Sequence, residues 1–149
     1  MHSKHYMLLA IMTAIMFVAM FVLMYAMVDR FQNVFLNLNQ LYMAALMTAA
    51  MVLIELAIMR SMYPNRTANI AIVLISVVAL AASWVGIRHQ LAVGDGQFVR
   101  SMIPHHAGAV LMCEKAPIED SEIQSLCQEI TRGQEAEIEQ MKTILSRLK

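Results

Sequence analysis

The segment "SMIPHHAGAVLMC", residues 101–113, gathers two adjacent histidines, two methionines and a cysteine in a chain that holds five histidines and two cysteines altogether. Thioether and thiolate sulfur are soft ligands that favour Cu(I), and imidazole serves copper, zinc or iron. Zinc sites rarely use methionine, and magnesium or calcium sites want clustered oxygens. Met102, His106, Ala109 and Cys113 share one helix face, with His105 and Met112 at its margin; this face points to copper as Cu(I), with Cu(II) at the histidines as the alternative. An isolated methionine on an apolar face is ordinarily packing. Two adjacent imidazoles, with a methionine four residues before the second, are costly to bury without partners.

A helical hairpin has to position these groups. "AVGDGQFVR" is a break with Asp95 as a candidate N-cap, and a helix follows from about Gln97 to Ala116. "PIEDSEI" is the turn, and Asp120 or Ser121 caps a second helix that runs to about Leu148. In that helix Ile123, Cys127, Ile130, Ile138, Met141, Leu145 and Leu148 recur at helical spacing, with Glu137 at the edge of the apolar face. Antiparallel pairing sets Cys113 opposite Cys127, His106 opposite Gln134, and Met102 opposite Ile138 and near Met141. For Cys113 and Cys127 three readings stand: apolar packing, a disulfide pinning the hairpin, and metal ligation or thiol redox chemistry. Two helices cannot cover each other's apolar stripes. The hairpin must lie on the loops of the preceding segment or pair with a second copy, a homodimer making a four-helix bundle being the simplest solution.

The chain is 59% hydrophobic and 15% charged, outside the range of an ordinary soluble domain. Its formal net charge is zero, which gives nucleic acid no general attraction. Three apolar runs, 6–27, 41–58 and 68–87, are each long enough for a bilayer core about 30 Å thick. The first is too long for a signal-peptide core and reads as a retained span. The expected class is all-α: a membrane domain over 1–93 with three transmembrane helices, then a hairpin domain over 94–149. Two arginines in the short loop "MRSMYPNR" tip the orientation toward an inside N-terminus, with the hairpin extracytoplasmic at a bacterial inner membrane. Met12, Met16, Met20 and Met24 repeat every four residues in the first span, and Met43, Met47, Met51, Glu55 and Met59 in the second; the third has no methionine. A carboxylate within a span is a functional candidate, although one near a span end also snorkels. The N-terminal "MHSKHYM" has two readings, contact with metal and a mobile terminus, of which the mobile terminus is preferred.

The stretches "FVRSMIPHHAGAVLMCEKA" and "DSEIQSLCQEITRGQEAEIEQMKTIL" resemble the domain of unknown function 305 family. Its CopM-like members are periplasmic copper-binding proteins with a ferritin-like helical fold. The resemblance implies Met102, His105, His106, Met112 and Met141 as copper ligands, with Gln134 and Glu137 as nearby polar members. Soluble members carry two such hairpins where this chain has one, which again points to a dimer.

These readings converge on a non-enzymatic, membrane-anchored protein of copper homeostasis. It would hold or relay Cu(I), and a copper-accepting protein would be a partner. Met102, His105, His106, Met112, Cys113, Cys127, Glu137 and Met141 form the expected ligand set. The alternatives are a membrane thiol–disulfide oxidoreductase or redox sensor using Cys113 and Cys127, and a structural assembly subunit. A di-iron oxidase is disfavoured, because no Glu-x-x-His pair is present.

Overall fold

The computed structural model describes residues 2–148, with side-chain surroundings from residue 4 onward. The chain is all-α: α1 (His2–Leu23), α2 (Leu38–Ile58), α3 (Arg66–His89), α4 (Asp95–Lys115) and α5 (Ser121–Arg147), with no strand among the described residues. Three segments are long and apolar enough to cross a membrane, Lys4–Met27, Leu38–Ile58 and Arg66–His89. The chain divides into two compact units, Met1–Leu23 with Asn39–Ala92, and Met24–Leu38 with Val93–Lys149. Residues 24–38, assigned from sequence to the membrane domain, fold with the hairpin.

In the first unit, large apolar side chains face outward along all three helices; Leu74, Ile75 and Val78 of α3 are 60–68% exposed. That suits hydrocarbon, which leaves only backbone groups to be satisfied internally. The inward side holds Leu9, Val52, Leu56 and Tyr63, with Tyr6, Met12, Met59 and Ile72 packed against them. Met1 of "MHSKHYM" lies outside the described residues, but the expectation of a mobile terminus fails from His2 onward, where the chain is already α1. Tyr6 is what ties it down. Its hydroxyl donates to Asn69 Oδ1 at 2.8 Å and accepts from the Asn65 backbone N–H at 3.0 Å. Asn65 also caps α3, its side chain accepting from Ala68 N.

The far end of α3 is closed by Gln90 in the left-handed conformation at φ 49°, whose N–H bonds back to Gly86 and Ile87 carbonyls. Gly86 is buried where α3 meets Tyr42; a Cβ there would lie 3.1 Å from the ring. The ring cannot swing away freely, because Tyr42 Oη donates to the Leu91 carbonyl at 2.8 Å. Overpacking costs about 1–3 kcal/mol, while replacing a helical glycine returns up to about 1 kcal/mol. Gly86→Leu is therefore expected to destabilise by about 2 kcal/mol net, read as a lower unfolding midpoint in detergent; an unchanged midpoint would refute this packing.

In the second unit α4 and α5 run antiparallel. Asp120 caps α5 as expected, its carboxylate accepting from Glu122 and Ile123 N–H groups at 2.9 and 3.0 Å. Asp95 is not the cap of α4: Gly94 takes that position with no side-chain bond, and Asp95 is the first helical residue. There its carboxylate favours the positive end of the helix dipole. Val99, Ile103 and Ala107 of α4 meet Ile138 and Leu145 of α5. Val28 and Phe35 pack on this cluster from the 24–38 segment. Tyr25 Oη bonds the Phe35 carbonyl at 2.7 Å, Leu38 N–H donates to Gln97 Oε1 at 3.1 Å, and Arg30 reaches Glu135 at 3.4 Å. Part of the apolar stripe, from which a completing homodimer was expected, is covered here by the chain's own residues 24–38, while Ile123 and Leu148 remain 49% and 45% exposed.

Candidate metal centre

His106 stands on the face of α4 turned toward α5. Its Nδ1 lies 2.9 Å from the Met102 carbonyl oxygen. A carbonyl only accepts, so Nδ1 carries a hydrogen and donates it. That bond fixes the tautomer and leaves Nε2 as the ring's basic nitrogen, the pattern by which ligating histidines are oriented. Nε2 lies 2.8 Å from Glu137 Oε2 on α5, with the His106 side chain 12% exposed. The contact lies at the edge of the hairpin, where the Glu137 side chain is 56% exposed.

The sulfur atoms follow from helix periodicity. Met102 precedes His106 by one turn of α4, and Met141 follows Glu137 by one turn of α5. In an antiparallel hairpin both steps lead away from the connecting turn. By helical register, Met102 and Met141 thus stand at matching positions beside His106 and Glu137. Met141 is half-buried against the Ile103 cluster, and Met102 is half-buried. Pro104 sits inside α4 and removes the N–H that would bind the Arg100 carbonyl, so the turn leading into the histidines is one hydrogen bond short.

The remaining candidates separate from this group. His105 is exposed, its ring centroid 6.0 Å from that of His106 and inclined by 64°. Adjacent helical residues point about 100° apart, so only one of the two can face α5. Met112 is 54% exposed. Cys113 and Cys127 are joined in a disulfide with Cα atoms 5.2 Å apart, the pairing expected from the hairpin. Bonded to each other, they have no thiolate to offer a metal, and they leave the candidate ligand set. Among the described residues, no three His, Cys, Asp or Glu side chains form a metal-holding group. A zinc-type site is therefore not built here, and any centre depends on thioether sulfur.

The facing partner of His106 differs from the sequence expectation by almost one turn, Glu137 in place of Gln134. The cause is side-chain direction. Cβ atoms lean toward the N-terminus of their own helix, which is away from the turn on α4 and toward it on α5. Long side chains therefore meet partners farther along α5 than short ones do. The cysteines, with one carbon before the sulfur, keep the pairing that Cα positions alone would give.

A family model described as "Domain of unknown function (DUF305)" matches residues 90–149. An uncharacterized protein of Acanthamoeba polyphaga mimivirus is 32% identical over 120 residues, spanning 78% of this chain and 76% of its own length. That alignment is longer than the family match, so the likeness extends beyond the hairpin toward the apolar helices. No solved structure matches the chain.

Proposed function

The chain belongs to the family of the domain of unknown function DUF305, and on that footing we propose that it is a membrane-anchored, non-enzymatic copper-binding protein. The three apolar helices hold it in a bilayer, the inner membrane of a bacterium, with the α4–α5 hairpin on the extracytoplasmic side. Met102, His106 and Met141 hold Cu(I), and Glu137 balances its charge. The reading is carried by the 2.8 Å approach of His106 Nε2 to Glu137 Oε2 while Nδ1 is committed to the Met102 carbonyl. Nε2, the nitrogen not used in the Met102 bond, offers a ligand atom to a monovalent ion, and the neighbouring Glu137 carboxylate offers a counter-charge. The flanking thioethers make that ion a soft one. The protein then stores copper or passes it to an acceptor.

Purified protein in detergent, competed against a chromophoric Cu(I) chelator without oxygen, tests this. His106→Ala is expected to weaken the hairpin site by about 100-fold or more, beyond the loss typical of a group that only orients a ligand. Met102→Leu with Met141→Leu should do the same at unchanged helicity. His105→Ala and Met112→Leu should leave affinity within a few-fold. Native affinity in the His106 variant would remove the assignment.

A further inference from the structure

The first unit holds a second group of soft donors. A cleft of about 350 Å³ is lined by His5, Met12, Glu55, Met62 and Tyr63, with leucine and isoleucine side chains completing its wall. His5 Nδ1 is buried and has no hydrogen-bond partner. Leaving a buried ring nitrogen unpaired costs about 1–3 kcal/mol. The position is not the accident of a loose end: the next residue, Tyr6, is bonded to both Asn65 and Asn69, and its ring packs 5.3 Å from that of Tyr63.

Glu55 begins the last turn of α2 and accepts from Tyr63 Oη at 3.1 Å. Burial of Tyr63, which is 4% exposed, raises its phenol above the ordinary range, and the Glu55 bond adds to this, so the phenol stays a donor. One hydrogen bond leaves the carboxylate with most of its acceptor capacity. Snorkelling would account for Glu55 alone. It does not account for an orphaned imidazole nitrogen and two thioethers lining the same cleft.

We propose that His5, Met12 and Met62 form a second binding site, within the apolar unit, for a soft monovalent cation, with Glu55 as its counter-charge. The donors select for softness. The apolar walls select for valence: one carboxylate neutralises a monovalent ion, whereas a divalent ion would keep a net charge among leucine and isoleucine side chains, where uncompensated charge is strongly penalised. Methionine has three rotatable bonds, and the cleft leaves room for both thioethers to close on an ion. Met12 opens the methionine row of α1, and Met62 comes from the 3-10 turn Arg60–Met62 that follows α2; leucine could not replace either as a ligand.

The test uses Cu(I), and Ag(I) as a redox-inert probe, on full-length protein in detergent, counting equivalents retained against a competing chelator. The site shares its ion chemistry with the hairpin centre but none of its residues, so the two fail separately. Native protein should hold two equivalents. His106→Ala should keep one, with sulfur neighbours in X-ray absorption. His5→Ala, and Met12→Leu with Met62→Leu, should each lose that one and keep the hairpin equivalent. The leucine pair preserves apolar volume and guards against misfolding, checked by helicity. If both variants hold as many ions as native protein, or native protein holds a single ion that His106→Ala abolishes, the proposal is overturned.

Discussion

Replacing Cys113 and Cys127 by serine is expected to destabilise the second unit by about 3 kcal/mol, the value for a cross-link closing a loop of this size. The sequence separation is 14 residues. Little else holds that end of the hairpin. The buried cluster lies at the other end, on Val99, Ile103 and Ala107 of α4 and Ile138 and Leu145 of α5, while residues 119–126 are exposed throughout. Near the turn the two helices depend on the Asp120 cap, the Gln124 side-chain bond to the Ile118 carbonyl at 2.8 Å, and the disulfide. Amide exchange in the double-serine variant should therefore accelerate first around residues 114–128 and much less around Ile103. Copper affinity should hold, because Met102, His106 and Met141 belong to the distal half. If exchange is unchanged, the bridge is not structural. If affinity collapses without any change in exchange, the cysteines belong to the chemistry, and the thiol–disulfide reading gains at the expense of the copper one.

Ile103→Ala should cost about 2–5 kcal/mol, the range for truncating a fully buried aliphatic side chain. Ile103 is 0% exposed and is the meeting point of α4 with α5 and with the 24–38 segment. Its loss leaves a hole that Val28, Phe35 and Met141 cannot fill without shifting, and Met141 is one of the proposed ligands. Ile103→Val removes one methylene and should cost about 0.5–1.5 kcal/mol. Exchange protection of α4 amides measures both. The graded pair also separates packing from ligation: the alanine variant should weaken Cu(I) in proportion to lost protection, whereas Met141→Leu should weaken Cu(I) at full protection. Equal protection in native and alanine proteins would contradict a core at this position.

Much of the hairpin was legible in the sequence because its signals are local. Asp120 or Ser121 followed by a long amphipathic period marked the start of α5, and the two cysteines, placed symmetrically about the turn, were expected to face each other, with a disulfide one of three readings. Three features were not legible, each because a longer-range effect overrode a local one. The apolar pattern runs unbroken past Leu23, yet the α-helix stops there, tightens into a 3-10 turn over Met24–Met27, and joins the other unit. Only tertiary packing distinguishes those residues. His105 and His106 look equivalent in a string, but the helix turns one toward Glu137 and the other toward solvent. His5 looked like part of a loose end, because the hydrogen bonds that hold its neighbour Tyr6 come from residues about sixty positions later.

The hairpin's cover is encoded ahead of it, on the far side of two apolar helices. During synthesis residues 24–38 are made long before Val99 and Ile103, and they must wait, unpacked, until α2 and α3 have been completed. A fragment beginning at residue 93 would carry the ligand positions but expose the stripe that Val28 and Phe35 normally shield. The hairpin is thus not a detachable module: its packing is completed only on a chain whose apolar helices are already made.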